Sequence, residues 1–280
     1  MTPPVSIRPA SPAFGGHTVA ALALLGLTAA GLLLAGPAAR RAEATVERCG
    51  SAAAETTHAL SLPHLARALA VGRSLLVVAL GSSSTYGAGA SARDRAYPSR
   101  LAAFLAQRLP TAHVTVLNRG VGGEDAAATL RRLDRDVIAA HPDFVIWQVG
   151  TNDVLHDADP AAVGAVIRAG VARMQRAGID VALMDVQFAP TVIRHPGYRE
   201  IERVIAAEGR ALGVPVIRRF AMMREWAEDG RLPLSIMLAG DHLHMTDASY
   251  DCLARRIGRS VALAVEAPSP GAYGVSMARP

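Results

Sequence analysis

The sequence predicts an α/β domain on a five-stranded parallel sheet, and three observations lead there. Short apolar runs of strand length alternate with longer amphipathic stretches from Ser74 onward, the pattern of repeated βαβ units. The composition is 51% apolar with 4% aromatics and abundant Ala, Gly and Val, which suits a buried sheet wrapped by Ala-rich helices. A length of 280 residues gives room for one such core and a targeting segment, and little for a second catalytic domain.

The strands are expected at Leu75–Ala79, Val114–Leu117, Phe144–Gln148, Val181–Met184 and Val214–Ile217, each a short and mostly apolar run. Helical spacing of apolar positions predicts helices at about Tyr97–Leu109, Asp125–Ala140, Pro160–Ala177 and Tyr198–Leu212, with a last helix from about Asp247 to Val265. Gly178 and Gly213 stand where helix C-caps belong, and Pro110 and Pro142 stop their helices before the next strand. No internal repeat is visible, and the tail 267–280 lacks periodicity and is expected to be disordered.

Upstream of this pattern, Thr18–Gly36 is uncharged and long enough to meet a membrane. Residues 1–44 are therefore expected to be either a signal peptide, with Ala42-Glu43-Ala44 as a small-x-small cleavage site, or a retained single N-terminal membrane helix. Residues 45–73 form a lead into the domain proper, 74–266. Either reading makes the chain exported: periplasmic, secreted or anchored. The two cysteines, Cys49 and Cys252, would both survive cleavage. In an oxidising compartment they could form an intrachain disulfide worth about 4 kcal/mol in the chain-entropy model. The alternative is two buried thiols.

All 29 basic residues are Arg, giving a formal charge of +5. With no Lys, a Schiff-base lysine, a lysine general base and a P-loop lysine are excluded. Arg131, Arg132, Arg135, Arg218, Arg219, Arg255, Arg256 and Arg259 lie at helix-like spacings beside acids. They read as solvated helix faces rather than as a nucleic-acid surface.

In an open parallel sheet ligands bind beyond the carboxyl ends of the strands, so chemistry should follow each strand. After the first comes Gly81-Ser82-Ser83-Ser84-Thr85-Tyr86-Gly87, which alone fits a helix cap or phosphate cradle as well as a nucleophile. It is not the G-x-S-x-G elbow, because Thr85 takes the place of the second Gly. After the second comes Asn118-Arg119-Gly120-Val121-Gly122-Gly123-Glu124, a tight turn or a set of backbone N–H groups aimed at substrate. After the third comes Gly150-Thr151-Asn152-Asp153, an Asx-type cap or a carboxamide donor. Before the last helix lies Asp241-His242-Leu243-His244, where a carboxylate three residues from an imidazole can orient it. His242, His244 and Asp241 could also be half of a metal site, but no partner cluster has ligand spacing, so no metal or cofactor is expected.

Taken together and in this order, the blocks resemble those of the SGNH hydrolases, the GDSL-type esterases and lipases, from about Ser74 to Val265. The resemblance implies a three-layer α/β/α sandwich of flavodoxin-like topology and carboxylic ester hydrolysis. It makes Ser83 the nucleophile, Asp241 and His244 the acid and base, and Ser83, Gly123 and Asn152 the oxyanion hole. The first block departs from the usual Gly-Asp-Ser, reading Gly81-Ser82-Ser83, which keeps the nucleophile and loses its supporting carboxylate. The expected substrate is a short acyl, such as acetyl, ester of an extracytoplasmic O-acetylated polysaccharide. The acyl site would be limited by Trp147, Phe188 and Met237, among loops near 86–97, 155–159, 187–198 and 226–238. The alternatives are a lipid-directed esterase, lysophospholipase or thioesterase, an acyltransferase, and a non-catalytic envelope carbohydrate-binding protein on the same fold.

Overall fold

The computed structural model describes residues 49–50, 56 and 59–266. The expected signal peptide or anchor in residues 1–44 and the tail 267–280 lie outside them. Among the described residues no helix is long and apolar enough to cross a membrane.

Five strands, β1 (Leu75–Gly81), β2 (Val114–Gly120), β3 (Phe144–Gln148), β4 (Asp180–Met184) and β5 (Val216–Ile217), form one sheet in the order β2-β1-β3-β4-β5. Every pairing is parallel, with Val77 opposite Phe144 and Ala79 opposite both Asn118 and Ile146. Strands β1, β3 and β4 are buried almost throughout, which explains their unbroken apolar runs. Edge strand β2 is partly exposed, and edge strand β5 is covered by an antiparallel bridge from Thr56.

Helices cover both faces. Helices α1 (Pro63–Ala70), α3 (Tyr97–Arg108) and α12 (Asp247–Glu266) pack together on one. Helices α4 (Ala126–Arg131), α7 (Pro160–Arg176) and α9 (Tyr198–Ala211) pack together on the other. Short helices α2 (Ser83–Tyr86) and α6 (Thr151–Leu155) begin directly after β1 and β3. The chain steps one way from β1 to β2 and the opposite way from β2 to β3, so strand order reverses between β1 and β3 and a crevice opens at their carboxyl ends.

Several sequence expectations need correction. The helix expected over 125–140 is broken into α4, α5 (Leu133–Asp136) and a 3₁₀ turn at Ile138–Ala140. The fifth strand is shorter than expected, since Val214 pairs back onto the end of α9 through its N–H to Gly209 C=O. The lead contains α1, whose Pro63 start and buried Leu65 and Ala68 make it part of the packed domain. Helix α10 (Arg219–Glu228) occupies a stretch in which the sequence suggests no element. Trp147 and Met237 are fully buried and so cannot bound a substrate site: the Trp147 indole N–H donates to Thr129 Oγ1 at 3.0 Å within the core. The arginines expected on solvated faces include three buried ones, Arg132, Arg219 and Arg256.

Cys49 and Cys252 form a disulfide, joining the lead to α12. Beside it the Trp226 indole N–H of α10 donates to the Cys49 carbonyl at 2.9 Å, so the lead is held by a covalent and a polar contact. Replacing Cys252 with Ser is expected to lower stability by about 4 kcal/mol, the value for closing a long loop, read as a shift in the urea unfolding midpoint. An unchanged midpoint would show that the bridge is not formed.

Candidate active site

Ser83 opens α2 one residue after Ser82 caps it in extended backbone, so its hydroxyl stands at the mouth of the crevice, partly exposed. The turn is built on Gln148, the polar residue that closes the otherwise apolar β3. Its carboxamide oxygen receives the Ser82 N–H at 2.8 Å and the hydroxyls of Ser82, Ser84 and Thr85 at 3.0, 3.3 and 3.2 Å. Ser82 therefore replaces a carboxylate with a hydroxyl that donates to a neutral amide. The run of hydroxyls that looked like a generic cap is a set of donors converging on one acceptor.

The loop carrying Asp241 and His244 is closed at its base by an antiparallel bridge between Leu238 and Met245. Its tip is shaped by Asp241, whose Oδ1 accepts the N–H groups of Leu243 and His244 at 3.0 and 2.9 Å, while His242 adopts the left-handed φ of 55° that the turn requires. Two side chains from beyond β4 brace it: Gln187 Nε2 donates to Leu243 C=O at 2.7 Å and Thr191 Oγ1 to His242 C=O at 3.1 Å. On the other side Ser91 donates to Asp247 at 2.8 and 2.6 Å, and the Tyr250 hydroxyl donates to Ala88 C=O at 2.8 Å, fastening the segment after Ser83 to the start of α12.

These contacts bring the imidazole of His244 between two partners. Its Nδ1 lies 2.6 Å from Asp241 Oδ2 and its Nε2 2.9 Å from Ser83 Oγ. Partial burial would raise the Asp241 carboxyl, but the His244 ring and the two backbone N–H groups hold it down at about 2. An ionised Asp241 accepts from Nδ1, which leaves Nε2 free to accept from the serine.

Gly123 has φ of 77° with open space around it, so glycine is needed there for backbone conformation and not for room. Gly120 is needed for the opposite reason, because a Cβ there would collide with the Tyr86 backbone N–H group. Neither the Ser83 nor the Gly123 N–H has an acceptor among the described residues. Asn152 is buried on α6 and donates one amide proton to Glu124 C=O at 2.7 Å, keeping the other for a ligand. Asp153 ties the same two turns together, accepting from Ala126 N–H at 3.1 Å and from Gly150 N–H at 2.9 Å. The five residues singled out in the sequence thus converge on one rim. Among the described residues no group of His, Cys, Asp or Glu is placed to hold a metal ion.

Three supporting residues were not legible. Gln148 is one. Arg132 links Glu124, Asp136 and the Gly81 carbonyl at 2.6, 2.7 and 3.0 Å, fixing the turn after β2 to the strand end before Ser83. Arg219, almost fully buried, donates to Ser84 Oγ, Thr151 Oγ1 and the Asp185 carbonyl at 2.8, 3.0 and 2.7 Å. A polar residue ending a buried strand is the one available signal for Gln148, and nothing in the sequence separates the two arginines from Arg131 and Arg218, which stay in reach of solvent.

A sequence profile of the non-GDSL lipase-like family matches residues 48–267. The chain belongs to that family. It is accordingly an SGNH hydrolase by superfamily and a carboxylic ester hydrolase by class. No curated protein matches the sequence. Solved structures of similar fold include the lipase/acylhydrolase from Enterococcus faecalis, at 22% identity over 67% of this chain and 95% of that one, with a TM-score of 0.55. An acetyl xylan esterase is 20% identical over 67% of this chain and 100% of its own, with a TM-score of 0.59. A two-domain esterase active on acetylated mannans is 20% identical over 78% of this chain and 57% of its own, with a TM-score of 0.63. A non-GDSL family fits the first block, which reads Gly81-Ser82-Ser83 and in which Ser82 is braced by the neutral Gln148.

Placing a carboxylate at Ser82 is therefore expected to harm this member of the family. Ser82→Asp would set a negative charge against the Gln148 oxygen and break up its donor set. A loss of esterase turnover with the chain still folded is expected; wild-type turnover would show that Gln148 does not hold the turn. A second expectation concerns Asp185, whose carboxyl is buried beneath the site and pushed up from 3.8 to about 7, despite the Phe220 N–H and nearby Arg219. Between about pH 4 and 7 the folded chain keeps a proton that the unfolded chain releases, so stability falls as pH rises through that window. Asp185→Asn should flatten this decline, measured by urea midpoints at several pH values; an identical decline in the variant would refute it.

Proposed function

We propose that the protein is a serine esterase that removes short acyl groups, acetyl above all, from an extracytoplasmic carbohydrate. The observation that carries the catalytic part is the His244 imidazole spanning Ser83 Oγ at 2.9 Å and Asp241 Oδ2 at 2.6 Å.

In this reading His244 Nε2 takes the Ser83 proton as Oγ attacks the ester carbonyl carbon. The carbonyl π pair moves onto oxygen, which is met by the N–H groups of Ser83 and Gly123 and the free amide proton of Asn152. Collapse expels the alcohol, which takes the proton from His244, and leaves the acyl group on Ser83. Water then attacks with His244 as base, releasing the acid and restoring the hydroxyl. Asp241 remains ionised throughout and steadies the imidazolium.

The acetyl and carbohydrate assignments draw support from similar structures named as acetyl xylan esterase and as an esterase active on acetylated mannans. An oxidising compartment is supported by the Cys49–Cys252 bridge. Of the three side chains expected to bound the acyl site, only Phe188 remains partly exposed. A second reading, a lipid-directed esterase, draws support from Tyr86 and Val121, which stand 51% and 43% exposed on the turns that bear Ser83 and Gly123.

Hydrolysis of p-nitrophenyl esters of increasing chain length separates the two, since the first reading expects a maximum at acetate and the second at longer acyl groups. Ser83→Ala should abolish turnover, and Asn152→Ala should lower kcat by about 10²- to 10³-fold. Retention of full activity by Ser83→Ala would end the proposal.

A further inference from the structure

Arg219 places a guanidinium under the candidate site with less than a tenth of its side chain reachable by solvent. Its donors are shared between two residues of unusual position. Nη1 donates to the hydroxyl of Ser84, the neighbour of Ser83, and Nη2 to the hydroxyl of Thr151, the neighbour of Asn152. The same Nη2 reaches the Asp185 carbonyl at the end of β4. Ser84 passes the connection on, donating in turn to Gln148.

The arrangement is not that of a buried ion pair. All three acceptors are neutral oxygens, and Nε has no protein acceptor among the described residues. Removing a cation from water without a bonded carboxylate is unfavourable, and burial pulls this guanidinium down to about 10. An aliphatic side chain of similar size would fill the space without that penalty. What it would not do is span two turns with a planar fork whose donors have fixed separation.

We propose that Arg219 is a positioning residue for ester hydrolysis, setting the distance between the Ser83 nucleophile and the Asn152 oxyanion donor by clamping Ser84 and Thr151. This rests on the roles assigned above to Ser83 and Asn152. The clamp acts across the β1/β3 crevice, whose two sides each carry one member of the reacting pair. A displacement of the order of 1 Å at such a pair lowers turnover by about 10²-fold, while ground-state binding is little affected.

The experiment compares Arg219→Met, Arg219→Lys, Thr151→Val and Ser84→Ala with the wild type, reading kcat and KM on p-nitrophenyl acetate for protein shown to be folded by circular dichroism. Arg219→Met should lower kcat by about 10²-fold with KM within about twofold. Arg219→Lys should recover part of the loss, because an ammonium keeps the charge and its donors but lacks the planar fork that holds two acceptors at a fixed separation. Thr151→Val should lower kcat severalfold alone and add almost nothing in the Arg219→Met background, as expected for groups acting through one contact. Wild-type kcat in folded Arg219→Met, or independent losses in the double variant, would overturn the proposal. If Arg219→Met does not fold, Thr151→Val and Ser84→Ala decide it, and wild-type kcat in both would count against the clamp. Ser83→Ala measured in parallel keeps the two questions apart: activity there would refute the site, whereas an inactive Ser83→Ala beside a fully active Arg219→Met would refute only the clamp.

Discussion

The parallel pairing of β1 with β3 is the constraint on which the site depends. It sets Ala79 opposite Ile146 and Leu80 opposite Trp147, and so brings the turns that follow the two strands side by side at the point where strand order reverses. Ser83 and Asn152 stand on those turns because the strands end there. The helices on both faces keep the pairing buried, and the loop bearing Asp241 and His244 closes over the same end, braced from β4 and from α12. The reacting groups thus come from separate parts of the chain, yet each sits within a few residues of a rigid element.

Beneath this surface the site is held by polar groups that a purely apolar core would lack. Gln148 gathers the donors of the Ser83 turn, Arg132 ties that strand end to the turn after β2, and Arg219 ties it to the turn after β3. Gln148 thereby joins the Ser83 turn to the end of β3, while Arg132 and Arg219 each bridge two of the segments that line the crevice. Buried polar networks of this kind favour one arrangement because any shift leaves a donor or acceptor unmade in a low-dielectric interior. With Ser82 in place of a carboxylate, this chain braces its nucleophile through neutral acceptors.

The five parallel strands and the turns that carry the five candidate residues were legible because each rests on local chemistry: apolar runs for strands, glycines and Asn for turns, and a carboxylate three residues from a histidine. What escaped were the buried polar braces, whose partners are distant in sequence and carry no motif of their own. Arg132 and Arg219 are indistinguishable by spacing from Arg131 and Arg218, and only their packing shows them as buried. Trp147 lies within β3, close to its carboxyl end, but its side chain points to the helical layer, where Thr129 takes its N–H. Apolar spacing over 125–140 continues through breaks made by tertiary contacts, with Arg132 turned inward at the first of them.

The bridge between Cys49 and Cys252 also bears on the order in which the molecule becomes complete. Its partners are 203 residues apart, and His244 precedes the second by only eight positions, so the proton acceptor and the second thiol leave the ribosome almost together. A chain interrupted before that point lacks the imidazole and keeps Cys49 unpaired. Closure of the covalent ring therefore marks the molecules in which the whole constellation has been made.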